Sequence, residues 1–536
     1  MSEQGPNTQT SPQKPRMEDR GWFTRFLDTV EWLGNLLPHP VTLFAILCVL
    51  MILISGVVGF FDLSVEDPRP GAVGEIQANS LLNGDGLRWL VENLVSNFVG
   101  FAPLGVVLVA LLGVGVADKS GLLSAVIRSI VMKAPPKLIV AALVFSGIIS
   151  NTASEMGYVV LIPLAGLIFL GLGRHPLAGM AAAFAGVSGG YSANLLLGTI
   201  DPLLAGITQE AAQLIDESYR VDATANYFFM IISTFVITAV GTFVTVKIVE
   251  PKLGEYDPSN ASEDLSDETS LDPITPEERR GMKWAGIAAL GMLGLFALSV
   301  VPEWGVLRHP ETGEVAHSPF LNGIVALIFA FFLVPGVVFG VVTGQMRNDQ
   351  DVVNAMASAM STLGLYIVLV FFAAQFVSIF GETNLGRILA VMGANGLQNI
   401  GLTGPLVFLF FILMCGMVNL SLGSASAQWA VTAPIFVPML MLIGYSPEVI
   451  QAAYRIGDST TNIITPMMSY FGLIMAFMVK YDRNTGIGTI IAMMLPFSIF
   501  FLISWITLFF VWVFLLGMPV GPGAPTYYDI GAATGS

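Results

Sequence analysis

The sequence predicts an all-α polytopic membrane protein: nine transmembrane helices plus two re-entrant helical hairpins, in an inverted-repeat core with broken helices. Three observations predict it. Of the 536 residues, 54% are hydrophobic and only 11% charged, whereas soluble domains carry roughly 25% charged residues. Apolar runs of membrane-spanning length recur along almost the whole chain, and mean hydropathy is +0.75. Two apolar regions interrupted by polar runs align with each other at one constant spacing.

The elements follow in order. Residues 1–40 form a polar cytoplasmic arm and an interfacial helix, because 21–37 is amphipathic (Trp22, Phe23, Phe26, Leu27). A spanning helix needs about 20 apolar residues. Clear spans cover 41–60, 97–116, 227–249, 282–301, 320–342, 353–380 and 489–518. The apolar run 138–149 is too short to cross and stops at Ser150-Asn151-Thr152-Ala153-Ser154-Glu155, after which 158–172 resumes. The run 406–418 likewise stops at Asn419 through Gln428 and resumes from Trp429. These are the hairpins, near 138–172 and 405–442, and non-helical backbone at that depth must face protein or a watery cavity. Each is followed by a broken crossing. The first, 176–207, is interrupted at 188–194, and the second, 447–480, at 457–462.

Two membrane halves result, 41–249 and 282–518, with a C-terminal tail at 519–536. Between them lies 250–281, an acidic cytoplasmic connector with 10 acidic residues. A shift of 271 positions places Pro163 on Pro434, Pro176 on Pro447, Gly186 on Gly457 and Ser188 on Ser459. Basic residues near span ends mark the cytoplasmic side. Arg16, Arg20, Lys119, Lys133, Lys247, Lys283, Arg347 and Lys480 all fall there if nine crossings put the N-terminus inside and the C-terminus on the far side. The hairpins then enter from opposite faces, an inverted repeat of the kind found in secondary transporters.

Several chemistries are excluded. The net charge of −15 argues against nucleic acid. His39, His175, His309 and His317 show no metal-ligand spacing. No Walker-type loop and no GxSxG context occur, so neither an ATPase nor an esterase is written in the chain. Cys48 and Cys415 lie in apolar runs as packing residues. Nothing points to an enzyme or an organic cofactor.

Charges inside apolar segments are costly and mark function. Arg455 and Asp458, three apart, share a helix face, and Asn462 extends that stripe. The bland alternative is a buried ion pair that fixes packing. Asp201 titrates, binds a cation or sits at the water interface. Glu155 is a helix-start acid or a substrate contact. The tips offer hydroxyls, amides and backbone groups from Asn151, Thr152 and Ser154, and from Ser424 and Ser426. Helix ends meeting at a midplane can hold a cation or an anion. Trp429 either stacks on an aromatic substrate or packs. A channel is the second functional class, but isolated charges without a ring of repeated carbonyls speak against it.

Three runs carry a resemblance: residues 150–158, Gly423-Ser424-Ala425-Ser426-Ala427-Gln428-Trp429, and Tyr454-Arg455-Ile456-Gly457-Asp458-Ser459. With the order of segments, they make the chain resemble the AbgT family of p-aminobenzoyl-glutamate transporters over its whole length. The resemblance implies an inner-membrane homodimer with scaffold and transport parts. It implies alternating-access carriage of p-aminobenzoyl-glutamate-like compounds, with export of sulfonamide antimetabolites in some members, driven by sodium or protons. A sodium-coupled carrier of another small carboxylate is the alternative. Carried over by position, Asn419 and Asp458 would hold sodium, and Asp201, Trp429, Pro447 and Arg455 would line the substrate path. The Ser150-Asn151-Thr152 tip also resembles ion-binding tips of sodium–dicarboxylate carriers, but the second half has no matching Ser-Asn-Thr.

Overall fold

The structure is a computed structural model that describes residues 38–68, 74–153, 157–262, 274–315 and 318–529. The expected interfacial helix, Ser154, Glu155 and most of the acidic connector's centre lie outside the described residues. Seven helices among the described residues are long and apolar enough to cross a membrane, and they coincide with the seven clear apolar spans.

Two of those spans differ in detail from expectation. The span expected at 97–116 belongs to a 36-residue run made of two helices, Gly84–Gly100 and Ala102–Lys119. They meet at Phe101, whose backbone is extended (φ −66°, ψ 112°). Pro103 in the first turn of the second helix explains the break, since its ring has no N–H to donate and clashes with a preceding carbonyl. The span expected at 353–380 is also two helices, Asp349–Ser361 and Gly364–Glu382. Thr362 ends the first by turning its hydroxyl onto Ala359 O at 2.8 Å. The fold is also not purely α-helical. Ser64–Glu66 pairs antiparallel with Glu75–Gln77 beyond the first helix, and Tyr445 bridges Tyr527.

The two interrupted regions are helical hairpins, each laid on a broken helix. In the first, Ile139–Ser150 ends in a 3₁₀ turn, Asn151–Ala153, and the chain returns through Gly157–Gly171. It packs on Pro176–Phe184 and the π-helical turn Ala185–Gly189, beyond which the helix is lost until Ile200–Ala212. In the second, Val407–Leu422 returns as Ala425–Met441 and packs on Pro447–Thr461, with helix resuming at Phe471–Tyr481. The second tip is shorter than expected. Helix runs through Asn419 to Leu422, and only Gly423, with φ +56°, and Ser424 interrupt it. Residues 457–461, expected to be the break, are helical, and unwinding begins at Asn462.

Glycines set the distance between each hairpin and its broken helix. A Cβ on Gly147 would lie 2.7 Å from Val187 N, and one on Gly457 would lie 2.9 Å from Gly416 N. Both approaches are closer than any side chain tolerates, so backbone meets backbone in both halves. The halves interlock as well, since Ala425–Met441 of the second packs on Ile200–Ala212 of the first. A separate layer forms where Ala102–Lys119 packs on Ile324–Thr343, which in turn packs on Pro276–Val300.

Gly147→Ala and Gly457→Ala should each destabilise the protein by about 1–3 kcal/mol through overpacking. Thermal unfolding in detergent checks this against Gly105→Ala, where the added methyl meets open space. Equal melting temperatures for all three variants would remove the close-approach argument.

Candidate functional site

The two tips and the two breaks converge on one cavity of about 350 Å³. Asn151 comes from the first tip, Ser424 and Ser426 from the second. Ser188 and Tyr191 come from the first break, and Asn462 and Tyr470 from the second. Tyr366, from Gly364–Glu382, closes one wall and donates its hydroxyl to Pro103 O at 3.0 Å. Among the described residues, none that lines it is charged; their lining consists of hydroxyls, amides, tyrosine rings and aliphatic side chains.

Each tip is held by an asparagine. Asn151 Nδ2 donates to Val187 O at 2.9 Å, and Asn419 Nδ2 donates to Asp458 O at 2.9 Å. Val187 and Asp458 are 271 apart, so both amides clamp the same position of the repeat. Asn419 Nδ2 also reaches Thr461 Oγ1 at 2.9 Å and Asn462 Oδ1 at 2.8 Å. Thr152 donates to Asn194 Oδ1 at 3.2 Å, and that oxygen also caps Leu195 N at 2.9 Å. The first break is therefore tied to the first tip.

Asn151 Oδ1, Asn419 Oδ1 and Asp458 Oδ1 are among the buried oxygens without a hydrogen-bond partner in this region, with Gln428 Oε1 and Ser459 Oγ beside them. Buried polar atoms are paired in the great majority of cases, so such exceptions need a cause. Asn419 and Asp458 sit on packed neighbouring helices, and both orphans are hard oxygen donors. That donor set fits sodium. Among the described residues, no group of three or more His, Cys, Asp or Glu could hold a metal ion. A sodium site does not need one, because amide and carbonyl oxygens serve it.

The ion pair weighed as the bland alternative, Arg455 with Asp458, is not the one formed. Arg455 forms its ion pair with Asp201, and the two side chains are only 4% and 2% exposed. Asp201 also accepts from Gly198 N at 2.7 Å. Arg455 and Asp458 share a helix, but the guanidinium reaches across to the first half. Arg455 Nε has no partner, so the fork is only partly used. Neither Asp201 nor Arg455 lines the cavity, though Asp201 directly follows the lining residue Ile200.

Trp429, expected to face a substrate ring or to pack, packs. It is fully buried and stacked on Tyr454, with centroids 4.3 Å apart and planes at 22°. Its indole Nε1 donates to Thr208 Oγ1 at 2.9 Å, and Thr208 in turn donates to Gln451 Oε1 at 2.7 Å. Pro447 lies at the start of its helix, about 22 Å along the axis from Asn462. Its place does not bring it to the cavity. Of the expected set, the cavity thus gathers Asn151, Ser424, Ser426 and Asn462.

Sequence reasoning missed the tyrosines. Tyr158 and Tyr470 both line the cavity and stack on each other, with centroids 4.6 Å apart and planes at 7°. The repeat held a signal for one of them, since a shift of 271 places Tyr158 on Trp429.

Comparison with known proteins agrees with this architecture. Residues 25–528 match the model of the AbgT putative transporter family. The p-aminobenzoyl-glutamate transport protein of Escherichia coli (strain K12) is 36% identical over 494 residues, covering 92% of this chain and 95% of that one. The YdaH transporter of Alcanivorax borkumensis superposes with a TM-score of 0.84 at 47% identity, covering 90% of this chain and all (100%) of that one. Neisseria gonorrhoeae MtrF, described within a class of antimetabolite efflux pumps, superposes with a TM-score of 0.88 at 62% identity, covering 94% of this chain and 100% of its own. With the family match running through nearly every described residue, the chain belongs to the AbgT family and is a multi-pass membrane transporter rather than an enzyme.

Proposed function

We propose that this protein is a secondary active transporter of p-aminobenzoyl-glutamate-like compounds, sulfonamide antimetabolites among them, working by alternating access. One observation carries the reading. A cavity whose described lining is hydroxyls, amides and tyrosine rings lies between the two hairpin tips, and a buried ion pair behind it joins the two halves. The names of the E. coli relative and of MtrF's class support the ligand.

The ligand's two ends call for different partners. An aryl amide suits tyrosine rings and hydroxyls. A carboxylate suits Arg455, whose planar fork binds carboxylates through two parallel hydrogen bonds. In the structure Asp201 holds that guanidinium. Substrate carboxylate then competes with Asp201, and winning Arg455 releases the first half from the second. Coupling enters at Asp458. A sodium ion held by Asn419 and Asp458, or a proton on Asp458, neutralises a buried carboxylate that has no cation partner among the ion pairs of the described residues. Either ion makes movement of that helix cheaper, because a net charge in the membrane interior is costly.

The same reading includes nine crossings with two re-entrant hairpins, a homodimer in the inner membrane, a cytoplasmic N-terminus and a C-terminus on the far side. The seven long apolar helices, the two hairpins on broken helices and membership of the family support it.

Two outcomes test the assignment. Asp458→Asn keeps the side-chain volume and should reduce gradient-driven flux by at least about tenfold in proteoliposomes. Gradient-driven flux at the native rate would remove Asp458 from coupling. Asp201→Ala leaves Arg455 buried without its partner and should cost roughly 3–5 kcal/mol. Because substrate no longer competes, p-aminobenzoyl-glutamate should raise the melting temperature of Asp201→Ala by more than it raises that of the native protein. An equal or smaller shift would mean that the substrate carboxylate does not use Arg455.

A further inference from the structure

We infer that the stacked pair Tyr158–Tyr470, not Trp429, is the aromatic platform on which a ligand ring rests. This rests on the transport reading above and names the residues that give it ring specificity.

The repeat shows how the role moved. A shift of 271 equates Tyr158 with Trp429, each five residues before a matched proline, Pro163 and Pro434. In the second half, Trp429 has its own stacking partner, Tyr454. The residue equivalent to Tyr454 in the first half is Ala183, which offers no ring. Tyr158 instead stacks across the midline on Tyr470, in the segment beyond the second break. One position of the repeat thus gives a packing aromatic in one copy and a cavity-lining aromatic in the other.

The geometry fixes how a ligand meets the pair. Rings 4.6 Å apart and nearly parallel leave no space for a third ring between them. The ligand's aryl face therefore packs on the cavity side of the pair, at the centroid separations of about 4.5–7 Å that aromatic pairs prefer. Ser188, Ser424 and Ser426, on the same cavity, suit the amide and amine of such a ligand. Tyr158 belongs to the first hairpin and Tyr470 to the second broken helix. A ring seated on them is thus in contact with both halves at once.

The test is binding of two ligands with the same dicarboxylate head, p-aminobenzoyl-glutamate and N-acetyl-glutamate, to purified protein in nanodiscs by calorimetry. Tyr158→Ala and Tyr470→Ala should each weaken the aryl ligand by about tenfold and the acetyl ligand by less than about twofold. Tyr158→Phe should restore aryl binding, since the ring face and not the hydroxyl is used. Tyr158→Leu keeps apolar volume and guards against loss of fold, and it should show the same selective loss as alanine. Trp429→Ala should weaken both ligands alike. Parallel losses for both ligands in the tyrosine variants, or selective aryl loss in Trp429→Ala alone, would overturn the inference while leaving the transport reading intact. A native protein that binds neither ligand would remove the transport reading itself.

Discussion

The ion pair between Arg455 and Asp201 is the constraint around which the site is organised. Both groups are almost wholly buried. Removing one partner from such a pair leaves an uncompensated charge at a cost of roughly 3–5 kcal/mol. The pair also joins the two halves of the repeat, with Asp201 beyond the first break and Arg455 just before the second. As long as it holds, the broken helices are tied together beside the cavity. A ligand that brings its own carboxylate can replace Asp201 without leaving Arg455 unpaired, while Asp201 keeps the hydrogen bond it accepts from Gly198 N. A sulfonamide, which has no carboxylate, makes that exchange only as its N-deprotonated anion.

Around this pair the repeat is faithful in backbone and unfaithful in side chains. Gly186 against Val144 O and Gly457 against Ile412 O reproduce one close approach. Asn151 and Asn419 reproduce one amide clamp onto the residue after a matched glycine, Val187 and Asp458. The chemistry then diverges. Where the second half has Asp458, the first has Val187, and where the second has Trp429 and Tyr454, the first has Tyr158 and Ala183. A two-fold frame therefore carries an ionisable group on one side and an aromatic platform that reaches across to the other.

Much of the fold was legible because lipid enforces it. Spanning helices must be apolar for about 20 residues, and a polar run inside an apolar one must face protein or a cavity. The positions of the breaks were read less well. Polar residues in 457–461 were expected to unwind the helix, yet they form its last turns. There Thr461 Oγ1 bonds Gly457 O at 2.9 Å and Thr460 Oγ1 bonds Ile456 O at 2.7 Å. Hydroxyls that return to the helix's own carbonyls make polarity compatible with helix, and composition alone does not reveal that. The partner of Arg455 was hidden for a different reason. Asp458 is close in sequence, but Asp201 is brought near only by tertiary packing. Trp429 failed to appear in the cavity because Tyr454, 25 residues on, covers its face.

The most direct measurement of the central claim is a structure of the protein in nanodiscs with p-aminobenzoyl-glutamate bound. The account predicts that the Arg455 guanidinium leaves Asp201 for a ligand carboxylate, with the aryl ring against Tyr158 and Tyr470. A ligand seated in the cavity with the Arg455–Asp201 pair unbroken would contradict it.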